Sequence, residues 1–187
     1  MKWFIPFSLV WLIALSSNSK GLTVTDDLDR LIDVTEPPKT IVSLSPHLTE
    51  LLFDLGVGQK VVGTVSFSDY PPSAKAITRV GDASALNFER IILMQPDLVI
   101  AWRSGGSFQS VERLIGLGMK VYVNEISSPK DIALSVEKLG VLVGQNKRGL
   151  ELSNEFSNEI IRIEQSRIDS HTPFSFFSTR RQRSIYF

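Results

Sequence analysis

The sequence predicts an α/β fold: a Rossmann-like lobe with a mostly parallel sheet and helices on both faces, followed by one long backbone helix. Short Val-, Ile- and Leu-rich runs alternate with segments whose apolar residues recur at helical spacing, which is the pattern of strand–helix–strand crossovers. Most junctions between them carry a cap, a proline or a glycine. Asn146 to Asp169 then runs without a breaker beyond Gly149, long enough to span a small domain.

The elements follow in order. Thr40–Leu44 reads as a short buried strand; Ser45 is placed to cap a helix with Pro46 at its first position, and Leu48, Leu51, Leu52 and Leu55 continue it to Gly56. Lys60–Val65 is a second strand, followed by a Ser/Asp/Pro loop. Asn87 caps a helix through Met94, Asp97–Trp102 is a third strand, and Val111–Leu117 lies in the next helix. Val121–Val123 is a fourth strand. Ser128, Pro129 and Asp131 open a helix that the sequence ends near Gly140.

Outside these elements the composition changes. Residues 1–19 have a basic start, an apolar centre and a small polar end, the layout of a secretory signal peptide. An apolar run of about 13 residues rises only about 20 Å as a helix, too short for a bilayer core. Residues 20–39 read as a polar, extended lead-in arm, residues 40–145 as a ligand-binding lobe and residues 146–169 as the backbone helix. Residues 170–187 start like a strand and turn into a basic tail. The 187 residues contain no cysteine, which excludes disulfides and a cysteine-linked lipid anchor. Twenty basic and twenty acidic residues cancel, so no net field draws nucleic acid or an anionic membrane. Together these features predict a diffusing protein of the periplasm.

The residues that invite a functional reading lie between Ser66 and Trp102. Tyr70 stands on a loop stiffened by Pro71 and Pro72, beside Ser68 and Asp69, at the sheet edge where open α/β folds place ligands. The competing reading is a ring lying on its own loop. Trp102 closes a buried strand before Arg103-Ser104-Gly105-Gly106, where glycines permit close approach of a ligand; a structural cap on the sheet is the alternative. Glu89 falls in the first turn of a helix, where the dipole favours a carboxylate whatever its role.

Chemistry finds little support. Neither Ser43 nor Ser45 lies in a Gly-x-Ser-x-Gly turn, His47 and His171 are too far apart in sequence to read as a metal pair, and Gly56-Val57-Gly58 stops a helix instead of cradling phosphate. No enzyme activity, catalytic residue, resident cofactor or metal is expected.

The series Ile41–Leu51, Ser68-Asp69-Tyr70-Pro71-Pro72, Asn87-Phe88-Glu89-Arg90-Ile91 and Pro96–Arg103 resembles the amino-terminal lobe of periplasmic vitamin B12-binding proteins. These are helical-backbone substrate-binding proteins of ABC importers, a class that also carries haem and ferric siderophores. The resemblance covers residues 35–168. It implies a corrinoid ligand, cobalamin foremost, with Tyr70 and Trp102 packed on the corrin ring and Ser68, Asp69 and Arg103 beside it. Glu89 matches the glutamate that meets arginines of the permease. Two departures stand out. Ala83 occupies a place where the family has a further tryptophan, which keeps another corrinoid, haem or a siderophore open as ligand. The family also continues into a second lobe, of which residues 170–187 would be only a stub, as a truncated chain would leave it; a remnant that holds no ligand is the alternative.

Overall fold

A computed structural model describes residues 22–34, 36–106 and 108–169. The signal peptide expected at 1–19 and the stub expected at 170–187 lie outside them.

Among the described residues, seven strands and five α-helices form the fold. Strands β1 (Leu22–Thr25) and β2 (Leu31–Val34) form an antiparallel hairpin. Then come β3 (Ile41–Ser43), α1 (Pro46–Asp54), β4 (Val61–Thr64), β5 (Thr78–Arg79), α2 (Phe88–Met94), β6 (Leu98–Trp102), α3 (Phe108–Gly116), β7 (Val121–Asn124), α4 (Pro129–Leu142) and α5 (Asn146–Asp169). The main sheet has the order β5-β4-β3-β6-β7 with every pairing parallel. This is the doubly wound arrangement that the alternating pattern predicts.

The period-2 alternation of each strand divides the core in two. Ile41, Leu98, Ile100 and Tyr122 point to one face, where α1, α4 and α5 bury Leu52, Val136, Leu139 and Leu152 against them. Val42, Val99, Ala101, Val121 and Val123 point to the other, against Ile91 of α2 and Val111 and Leu114 of α3. Burial on both faces explains why the strands read as continuous apolar runs.

Local signals set most of the helix ends. The Asn87 side chain accepts the Arg90 amide at 2.9 Å, and the Asp131 carboxylate accepts the Ser128 amide at 2.7 Å. Gly56 takes φ +78° where α1 stops. Gly140 is different. Helix α4 runs through it to Leu142, because its bare Cα meets Gly149 of α5; a Cβ there would lie 2.8 Å from the Gly149 Cα. The glycine that reads as a stop is the crossing point of two helices.

The segment expected to be an extended arm is instead anchored. Its turn places the Asp26 carboxylate, whose side chain is fully buried, against the Leu28 and Arg30 amides at 3.0 Å, the Val123 amide at 3.2 Å and the Arg30 guanidinium. Asp27 accepts from Lys138 of α4 at 2.6 Å and from the Glu125 amide at 2.6 Å. These acids read as part of a polar, extended arm because their partners on β7 and α4 are about a hundred residues away in sequence. Burial alone raises the Asp26 carboxyl, but the bonds from Arg30 and Leu28 outweigh it, and the net value is lowered. Replacing Asp26 by Ala, which orphans the amides it satisfies, is expected to cost about 3 kcal/mol at pH 7 by urea denaturation. Because the folded-state value is the lower one, this advantage is complete above the ordinary carboxylate value of 3.8 and shrinks as pH falls through the lowered value. A gap between wild type and Asp26→Ala that stays constant from pH 7 to pH 2 would contradict this account.

Candidate functional site

The carboxyl ends of β3, β4 and β6 open onto a cavity of about 480 Å³, lined among others by Leu44, Ser45, Phe67, Ala83, Trp102 and Gly105. Its position follows from topology. The chain leaves β3 for β4 on one side and later reaches β6 on the other, and a parallel sheet forms its ligand crevice where the order reverses.

Trp102 is the best-fixed group on this wall. Its indole meets the His47 ring edge to face, with centroids 4.8 Å apart and planes at 89°. It also lies directly on Gly105, where any Cβ would overlap the six-membered ring. The glycine expected to admit a ligand thus admits the tryptophan. The following loop is fastened in turn: the Ser104 amide and hydroxyl donate to Glu125 at 3.0 and 2.8 Å. His47 carries no metal signature. Its Nδ1 lies 2.7 Å from the Ser45 hydroxyl, and burial pushes the imidazole down to about 4, so it is neutral at pH 7. Ser45 occupies the N-cap position of α1, but its hydroxyl goes to His47 instead of a helix amide.

The other expected residues are placed differently. Ser68 is only 1% exposed and its hydroxyl is 2.8 Å from Thr64 Oγ1, so it braces the loop from within and does not line the cavity. Asp69 pairs with Arg79 at 3.0 Å, and Arg79 also donates to the Ser68 carbonyl at 2.9 Å. Tyr70 is 45% exposed, joined to Pro71 through a cis peptide bond, and is not among the lining residues. Arg103 is exposed on the rim, where its amide donates to the Asn124 carbonyl at 2.8 Å. Glu89 is exposed in the first turn of α2 and has no hydrogen-bond or ion-pair partner among the described residues.

Phe67 is the residue that sequence reasoning passed over. It is 83% exposed, lines the cavity and holds φ +67°. A left-handed conformation costs a side-chain-bearing residue roughly 1–2 kcal/mol, and such strain gathers where a site needs it. The exposed ring and the strained backbone together make Phe67 a candidate wall of the site. Among the described residues no group of His, Asp and Glu could hold a metal, and no helix is long and apolar enough to cross a membrane.

Residues 41–179 match the family described as periplasmic binding protein. The chain belongs to that family. Its members are described as binding proteins, not as enzymes. Among curated relatives, the vitamin B12-binding protein of Vibrio vulnificus strain CMCP6 is 33% identical over 124 residues, covering 66% of this chain and 45% of its own length. That of Vibrio campbellii is 30% identical over 149 residues, covering 80% and 54%. Among solved structures, the periplasmic vitamin B12 binding protein BtuF of Vibrio cholerae superposes with a TM-score of 0.68 at 31% identity, over 73% of this chain and 53% of that one. A periplasmic haem-binding protein of Pseudomonas aeruginosa shares the fold, with a TM-score of 0.65 at 23% identity, over 73% and 50%. The chain therefore spans about half the length of the relatives it matches.

The Gly105 contact can be tested through the indole itself, in a chain with Trp3 and Trp11 replaced by Phe so that Trp102 is the only tryptophan. Gly105→Ala is expected to displace the ring and shift its emission to the red. Gly106→Ala, whose Cβ would meet only the Ala83 carbonyl at 3.5 Å, is expected to leave the spectrum unchanged. Equal spectra for the two variants would remove Gly105 as the support of Trp102.

Proposed function

We propose that this chain is the amino-terminal, ligand-capturing lobe of the substrate-binding component of an ABC importer for vitamin B12 or a related corrinoid. The observation that carries the reading is the cavity at the strand ends, walled by Trp102 and Phe67, in a chain similar to vitamin B12-binding proteins. A large, flat, amphipathic macrocycle is the ligand that rigid aromatic walls suit, because they bury wide areas with little loss of side-chain freedom. Tyr70 and Arg103, outside the cavity lining, would meet the periphery of such a ligand. Ser68 and Asp69 would act on it through the loop they hold. The chain would work in the periplasm, secreted by residues 1–19, and binding requires no covalent step.

Docking on the permease is assigned to Glu89, an exposed carboxylate without a partner among the described residues, with α5 as the helix joining two lobes. A second reading, haem or a ferric siderophore as ligand, draws on Ala83, which gives the cavity wall a methyl group where the resemblance implies a tryptophan.

Titrating cyanocobalamin, haemin and a ferric siderophore against the protein, with Trp102 quenching as signal, separates these readings. Cyanocobalamin is expected to bind tightest. Trp102→Ala and Phe67→Ala, followed by calorimetry, are each expected to weaken it about tenfold or more. Binding of none of the three at millimolar protein would overturn the assignment, and preferential binding of haemin would move it to the second reading.

A further inference from the structure

Beneath the cavity, four hydroxyls form a continuous row. Thr49 Oγ1 of α1 lies 2.9 Å from Ser43 Oγ at the end of β3 and 2.8 Å from Thr64 Oγ1 at the end of β4; Thr64 Oγ1 in turn lies 2.8 Å from Ser68 Oγ in the loop after β4. The row ends on the Ser45 carbonyl, which lies 3.2 Å from Ser43 Oγ and 2.9 Å from Thr49 Oγ1; with one proton per hydroxyl, Ser43 donates to it when Thr49 donates to Ser43. All four side chains are buried, none more than 1% exposed.

Packing alone does not call for these groups. Valine has the shape of threonine, and a buried hydroxyl gains nothing over a methyl group unless its bonds are made. What the row accomplishes is mechanical: it joins the ends of two strands and the first turn of α1 to residue 68, inside the loop that carries Phe67. The loop's other ties flank the ring without holding it: the Ser66 amide donates to the Gly81 carbonyl at 2.8 Å, the Ser68 amide reaches the Val65 carbonyl at 3.4 Å, and Arg79 donates to the Ser68 carbonyl at 2.9 Å and pairs with Asp69 at 3.0 Å. Phe67 lies between them, strained and almost wholly exposed, so no packing of its own ring keeps it in place. Its neighbours must do so.

We propose that the Ser43–Thr49–Thr64–Ser68 hydroxyl row is a positioning device for ligand recognition: it pins the 65–71 loop to the sheet and so presents Phe67 to the cavity in a backbone conformation the residue would not keep unaided. Thr64 and Ser68 then set affinity without touching ligand, by removing the ordering cost that a loose loop would pay on binding. The inference rests on the reading of the cavity as a ligand site, and its test has an arm that needs no ligand.

In the full chain, Thr64→Val keeps the shape and removes the central hydroxyl. Amide hydrogen exchange at residues 66–70 is expected to accelerate about tenfold, with exchange in β6 and β7 unchanged. Thr64→Ser, which restores the hydroxyl, is expected to return it to the wild-type rate. Ser68→Ala cuts the row at its loop end and serves if Thr64→Val fails to fold. Cyanocobalamin affinity is expected to fall about tenfold in Thr64→Val, and this loss is expected to vanish in a Phe67→Ala background, as it must if the row acts through that ring. Wild-type exchange at residues 66–70 in the folded variants would overturn the proposal, as would an affinity loss undiminished by Phe67→Ala. Failure of the wild-type protein to bind cyanocobalamin would sink the ligand reading, while the exchange arm would still decide whether the row holds the loop.

Discussion

Strand β3 is hydrogen-bonded on both edges, to β4 on one side and β6 on the other, and the remaining geometry follows from that placement. Its neighbours fix which loops meet at the carboxyl end of the sheet: the turn into α1, the loop after β4 and the loop after β6. Because both faces are covered by helices, the centre of the sheet opens outward at its strand ends. The cavity is where three loops fail to close over the centre of a sheet. Asp97 supports this arrangement from the opposite end, where its carboxylate accepts the Lys39 and Thr40 amides at 2.7 and 2.9 Å and aligns the starts of β6 and β3.

The cavity walls obey different physics on its two sides. Trp102 is held by contact, between an imidazole edge and a glycine, and its position is set by volumes that cannot overlap. Phe67 has almost no contact to hold it and depends on directional bonds beneath its loop. A wall fixed by packing tolerates polar change nearby but not an added methyl group. One fixed by hydrogen bonds has the opposite sensitivities. The site therefore has one rigid side and one side whose rigidity is conditional on polar atoms that do not line the cavity.

What was legible in the sequence was local. Strands with buried faces, caps such as Asn87 and Asp131, and the stop at Gly56 are written within a few residues of where they act. Trp102 could be placed on a rim because its strand and its glycines are contiguous with it. The rest depends on distant partners or on conformations that residue type does not reveal. Asp26 and Asp27 read as part of a polar, extended arm until β7 and α4 arrive beside them. Strand β5, two residues long, is too short to leave a periodicity. Ser68 and Asp69 resemble ligand contacts because they flank an aromatic residue; only the fold brings Thr64 and Arg79 to them. Phe67 carried the least signal of all, since phenylalanine is not a residue that announces a positive φ.

The amino-terminal hairpin has a bearing on how the molecule behaves in a crowd. A parallel sheet of this kind ends in two strands that each have an unpaired flank, and an unpaired flank is a template for adding a strand from another molecule. Here the Asp27 amide donates to the Val123 carbonyl, Asp26 accepts the Val123 amide, and Arg30 reaches the Val121 carbonyl at 3.0 Å, so three of the outward-facing groups of β7 are already taken. At the other margin β5 is cut to two residues and preceded by the Pro71-Pro72 turn. The tight bend of the hairpin thus acts as a built-in plug against intermolecular β-pairing, so the same two aspartates that fasten the hairpin also keep the sheet from growing.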